Sequence, residues 1–159
     1  MKKTLLVTLA TVALGASTFV TFAQEEYPYQ NQIEARQAVM NVYRFNLGML
    51  GAMAKGEMPY DAGMASDAAN NLKAAANMRN GAMWPAGSDM SAPGLANMTA
   101  AKPDIWSNMS DVGEKSQALK AAVEAMSAAA GNGLDALRSN MGALGDGCKG
   151  CHEPFRASD

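Results

Sequence analysis

The sequence predicts an all-α protein folded as an antiparallel four-helix bundle. Three observations carry that prediction. The chain has 159 residues, 48% hydrophobic and 18% charged, which is enough apolar material for one core in one domain. Alanine and methionine are abundant and β-branched residues few, and the former lose little rotamer entropy in a helix. Beyond residue 23 no stretch alternates with period two, whereas four stretches repeat apolar residues every three and four positions.

Residues 1–23 stand apart. Met1-Lys2-Lys3 is a basic start, Thr4 to Val20 is an apolar run broken by small residues, and Thr21-Phe22-Ala23 supplies a small residue for cleavage. This is the pattern of a secretory signal peptide cut after Ala23. The alternative is an uncleaved anchor, but the run falls short of the ~20 residues that a span needs. The domain is then 24–159, exported, mildly acidic and without a membrane anchor after processing.

The first helix is expected from Gln30 to Lys55. Its inner stripe is Ile33, Met40, Tyr43, Leu47, Leu50 and Ala54, and Gly56 is a fitting stop. The second runs from Pro59 to Arg79. Pro59 and Asp61 suit its first turn, its stripe is Met64, Ala68, Leu72, Ala75 and Met78, and Gly81 ends it. From Gly81 to Ala101, Pro85, Gly87, Pro93 and Gly94 mark a long loop that Trp84 would pack onto the bundle. The third helix begins near Pro103 and Asp104, with Ile105, Met109, Val112, Leu119, Val123 and Met126 on one face. Gly131 and Gly133 turn the chain into a fourth helix starting near Asn132. There Leu134, Leu137, Met141, Leu144, Cys148, Cys151 and Phe155 form an inward seam. Short first and last links with one long middle loop give the antiparallel arrangement.

Several function classes are excluded. A net charge of −2 provides no basic field for a nucleic acid, and two cysteines cannot staple a disulfide scaffold. The single histidine rules out multi-histidine metal sites. There is no P-loop, dinucleotide-binding glycine fingerprint or hydrolase elbow.

Cys148-Lys149-Gly150-Cys151-His152 is the strong signal, because C-x-x-C-H is the attachment motif of a c-type haem. Residues three and four apart share one helix face. Two thiols so placed can each add to one vinyl group of a single porphyrin, while His152 reaches the iron from the same side. A dithiol redox site would usually sit at a helix N-terminus, whereas this motif ends a helix. A zinc site lacks its further ligands. A disulfide across so short a loop would constrain the unfolded chain weakly. For the sixth iron position no second histidine exists. Met40, mid-way along the first helix on its inward stripe, is the leading thioether candidate, and core filling is the competing role.

The pieces that surround the motif widen the identification. The motif ends seven residues before the C-terminus. Glu34-Ala35-Arg36 with Met40, the turn Ala52-Met53-Ala54-Lys55-Gly56-Glu57-Met58-Pro59-Tyr60-Asp61, Trp84-Pro85-Ala86-Gly87, Ile105-Trp106, and Cys148 to Arg156 are distributed over nearly all of the processed chain. In these the chain resembles class II cytochromes c, the cytochrome c-prime family, and within it the low-spin branch with His/Met ligation. The resemblance implies a left-handed four-helix bundle holding one covalent haem c and its iron. It places Arg36 near a haem propionate, with an ordinary solvated arginine as the alternative. It places Arg156 beside the exposed face of His152, or simply at the surface, and Phe155 below the ring. Met40 falls where one branch places an iron-binding methionine and the other a bulky side chain that blocks the iron without bonding it.

The expected function is therefore that of a periplasmic carrier of single electrons, docking transiently with periplasmic redox proteins. Binding of small gases such as nitric oxide or carbon monoxide at an open distal site is the alternative. An enzyme such as a peroxidase would need a distal acid–base group, and no histidine remains for it. The resemblance also points to a homodimer through the first two helices. Gly48, Gly51, Ala65 and Ala69 would either permit that close approach or face the core.

Overall fold

A computed structural model describes residues 27–158; the expected signal peptide lies outside them. Five helices follow in order: α1 (Gln30–Lys55), α2 (Ala62–Ala76), α3 (Asp104–Ser107), α4 (Met109–Ala129) and α5 (Leu134–Phe155). The four long ones form the bundle, with α1 packed on α2 and α5, and α4 packed on α2 and α5. No helix among the described residues is long and apolar enough to cross a membrane.

The expected boundaries hold for α1 and need correction elsewhere. Gly56 closes α1 in the left-handed region at φ 79°, its N–H bonding Ala52 and Met53 carbonyls, a conformation cheap only for glycine. Helix α2 starts three residues later than Pro59. Asp61 is its N-cap, its carboxylate accepting from Met64 N at 2.7 Å. The buried face of α2 is Ala65, Ala68, Ala69, Leu72 and Ala75, so Met64 and Met78 lie off the stripe, 44% and 46% exposed. The helix ends at Ala76, before Arg79, and Gly81 opens a single 3₁₀ turn rather than capping α2. The expected third helix is two helices. Asn108 breaks it at φ −132°, ψ 46°, and leaves Met109 60% exposed rather than inward. Asparagine competes with the helical backbone for hydrogen bonds and tolerates such a break.

The core lies in the half of the bundle nearest the two short links. Leu50, Met53, Leu72, Val123, Met126, Leu137 and Leu144 are buried together around the α2 alanines. Each fully buried leucine contributes roughly 2 kcal/mol. Tyr60 ties both short links together, its hydroxyl donating to Ala130 O at 2.8 Å and accepting from Gly133 N at 2.9 Å. A second cluster joins Ala101, Ile105 and Phe155 to Trp84, Trp106 and Val112. It fixes the long loop, as expected of Trp84, and fastens α3 to the end of α5.

Candidate functional site

The site is the other half of the bundle. On α5 the buried positions run Leu137, Leu144, Gly147 and then Phe155, and between the last two lie both cysteines, half-buried free thiols. On α4, residues 109–120 contain no buried side chain. The apolar core thus stops short of the thiols, which face neighbours of a different chemistry.

Helix α1 brings Tyr43 toward them. Burial pushes its phenol up to about 12, and the charges of Cys148 and Cys151 add to the shift. Helix α4 brings Lys115 and Asp111, paired at 3.6 Å. A methyl at Gly150 would stand 3.6 Å from Lys115 Cδ, and one at Gly147 3.2 Å from Leu119 Cα, so α5 runs close against α4 here. Burial raises the Cys148 thiol, with Cys151 adding to it. Burial also raises Cys151, against which Lys115 acts and to which Asp111 adds. These are not the depressed thiols of a dithiol redox site. No group of three or more His, Cys, Asp or Glu among the described residues fits a metal ion. The dithiol and zinc alternatives therefore gain no support from the geometry.

His152 follows in the last turn of α5, exposed on one side. Partial burial lowers its pKa, and the nearby Arg156 guanidinium lowers it further. Both effects favour the neutral imidazole that a metal requires. Arg156 is exposed, and its charge reaches His152. A shallow cleft of about 380 Å³ opens there, lined by Lys102, His152, Glu153, Arg156, Ala157 and Ser158.

Arg36 is no solvated arginine. It is 3% exposed, with Nη1 donating to Ser88 Oγ at 2.7 Å and Nη2 donating to Ser88 O at 2.5 Å and to Thr99 Oγ1 at 2.9 Å. Its guanidinium carbon lies 4.6 Å from the Trp84 ring centroid. Burial lowers its pKa while Asp89 opposes the shift. Asp89 is itself held low, first by its hydrogen bond from Ser91. Sequence reasoning missed Ser88, Asp89, Thr99 and the role of Tyr43. The signal for Arg36 was present: it sits three residues from Ile33 and from Val39, both buried, on a stripe that covers the long loop.

Met40 is 40% exposed and lies outside both apolar clusters. The stripe turns with the helix, and at this level α1 buries Arg36 and Val39 instead. Phe155 is buried, against Ala101, Ile105 and both tryptophans.

The donor set fits a covalent haem c. It has two half-buried thiols one turn apart, an adjacent imidazole whose pKa is lowered, a buried guanidinium on the facing helix, and flanking residues of α4 that fill no core of their own.

A family model described as Cytochrome C' matches residues 31–156. The chain is 40% identical over 136 residues to a cytochrome c-554 of Cereibacter sphaeroides, covering 86% of this chain and 100% of that one. It is 36% identical over 160 residues to a cytochrome c′ of the same species, covering 98% of both. A solved cytochrome c′ described as showing an unusual ligand-controlled dimer dissociation superposes with a TM-score of 0.74. That relative is 31% identical, over 84% of this chain and 99% of the other.

Proposed function

This chain belongs to the cytochrome c′ family and carries a covalent haem c, and from that premise we propose that it is a periplasmic cytochrome whose open distal face binds small neutral gases such as nitric oxide or carbon monoxide. The observation that carries this reading is the match of residues 31–156 to the cytochrome c′ family model, with 36% identity to a cytochrome c′ over 98% of both chains. The solved relative described as showing a ligand-controlled dimer dissociation supports a site in this family that takes up a ligand. Electron transfer, which the sequence placed first, becomes the second reading. It rests on a soft thioether standing one helical turn beyond Arg36.

When bound, haem iron supplies a one-electron couple and, at an open axial position, an acceptor for a small gas. The chain's own residues do the rest. Cys148 and Cys151 form the thioether bonds, so the group stays in place in a compartment that cannot replace it. His152 would supply its imidazole to the iron, and burial, with the nearby Arg156 adding to it, favours the neutral ring. Arg36 donates three of its five N–H groups to Ser88 and Thr99, and any propionate carboxylate would be met by those that remain. Tyr43 lines the helix facing the thiols and, neutral at physiological pH, adds no anion to an apolar distal face.

Export of residues 24–159 after removal of 1–23 belongs to the same proposal. So does transient docking of periplasmic redox proteins in the second reading, through a small interface. A homodimer through α1 and α2 would use Val42, Phe45 and Met64, which are exposed there; Ala65 and Ala69 are buried in the core and offer a partner nothing.

The test is the absorption spectrum of the oxidised and reduced protein, with and without carbon monoxide, for wild type and Met40→Ala. The gas-binding reading expects a high-spin spectrum that shifts with the gas, and the same spin state in the variant. A low-spin spectrum indifferent to the gas, converted to high-spin by Met40→Ala, would overturn it in favour of His/Met electron transfer.

A further inference from the structure

Segment 99–102 links Arg36 on α1 to the C-terminal end of α5. Thr99, buried in the long loop, accepts two hydrogen bonds at its hydroxyl, from Arg36 Nη2 at 2.9 Å and from Ala101 N at 3.1 Å. Ala101 forms an antiparallel bridge with Arg156. On either side of it Lys102 N donates to Phe155 O at 2.9 Å and Ala157 N donates to Ala100 O at 2.8 Å. The loop therefore clamps the chain immediately after the turn that holds His152. Its anchor on the far side is Arg36, one turn before Met40 on α1.

The last turn of α5 needs this support. Pro154 lies inside the helix and has no N–H to offer Gly150 O. Glycines 145, 147 and 150 are weak helix formers in the same stretch. The closing bond, Arg156 N to His152 O at 3.0 Å, comes from the very residue that the loop grips. The orientation of the imidazole is thus set partly from outside its own helix.

We propose that Thr99 is a positioning residue for His152, its hydroxyl coupling the Arg36 guanidinium on α1 to the 100–102 clamp on the end of α5. The proposal rests on the reading of His152 as axial ligand. Thr99 acts through Ala101 and Arg156, and the coupling joins the distal helix to the proximal ligand. Valine in its place keeps the shape and removes the acceptor, leaving a guanidinium N–H and the Ala101 N–H short of a partner in a buried place.

The chain contains one histidine, so histidine-selective ¹⁵N labelling of the haem-loaded protein reports a single imidazole. In Thr99→Val the ring resonances of His152 are expected to move. The amides of Lys102 and Ala157 should exchange with solvent roughly tenfold faster, the loss of one ordinary hydrogen bond's worth of local protection. Thr99→Ser should restore both. Thr99→Cys, a weaker acceptor of similar volume, should move both in the direction of valine, and it serves should the valine variant fail to accumulate. Ring resonances that stay in place in the valine or cysteine variant, or that serine does not restore, overturn the positioning role. A wild-type imidazole free of any hyperfine shift in the oxidised, loaded protein overturns instead the reading of His152 as ligand, and the proposal with it.

Discussion

Replacing Gly147 by alanine should destabilise the protein, although the same change two residues earlier should stabilise it. All three of Gly142, Gly145 and Gly147 lie inside α5, where exchanging glycine for alanine gains ~0.8–1 kcal/mol of helix propensity. A methyl at Gly142 or Gly145 meets nothing within 4 Å. At Gly147 it meets Leu119 Cα at 3.2 Å and Cδ1 at 3.3 Å, and the first of these is backbone that no rotamer change can move. The helices must separate by a few tenths of an ångström, and overpacking of this kind costs roughly 1–3 kcal/mol. The net for Gly147→Ala lies between about zero and 2 kcal/mol of lost stability, against a gain of up to about 1 kcal/mol for Gly145→Ala. At about 4 °C per kcal/mol for a domain of this size, the two variants should differ in Tm by roughly 4–12 °C. Thermal unfolding of the haem-loaded protein followed by far-ultraviolet circular dichroism measures it. Because Cys148 is the next residue, the visible spectrum of Gly147→Ala should also shift while that of Gly145→Ala stays as in the wild type. A Gly147→Ala protein that melts with or above Gly145→Ala refutes the close approach of α4 and α5.

Local chemistry was legible in the sequence and long-range fit was not. The C-x-x-C-H spacing specifies one helix face and one cofactor within five residues, and Gly56 specifies its own backbone conformation. The register of α2 was misjudged because hydropathy favours Met64 over Ala65. Yet α1, α2 and α4 meet there closely enough that the buried face is almost all alanine, and methionine is left to solvent. The break at Asn108 was hidden because the apolar period continues across it. For Arg36 the face was readable but the partners were not, since Ser88 and Thr99 lie 52 and 63 residues away in a loop without periodicity. Met40 shows the limit most plainly. Its position on the helix follows from spacing, while what its side chain meets depends on tertiary fit around the cofactor, which no period in the sequence records.

Further outcomes follow from single side chains. Tyr60→Phe removes one donor and one acceptor that join the two short links, and should cost about 1–3 kcal/mol, read as a fall in the urea midpoint; an unchanged midpoint means that the links do not depend on it. Arg36→Leu leaves Ser88 and Thr99 without their shared donor and Trp84 without its cation. It should cost about 3 kcal/mol or more and shift the tryptophan emission, and unaltered emission would remove Arg36 from the loop anchor. Tyr43 supplies an alkaline signature whose sign can be worked out. Its phenol is raised from 10.0 to about 12, with burial the largest cause. Between those values the unfolded chain has released the proton and the folded chain still holds it, so the folded state binds more protons and stability must fall as pH rises. The contribution is fully present below pH ~10 and is lost on approach to pH ~12. In Tyr43→Phe the phenolate absorbance titration should lose its latest-ionising component, and the alkaline decline of the urea midpoint should become shallower. An identical alkaline titration in the variant would place Tyr43 in solvent, away from the thiols.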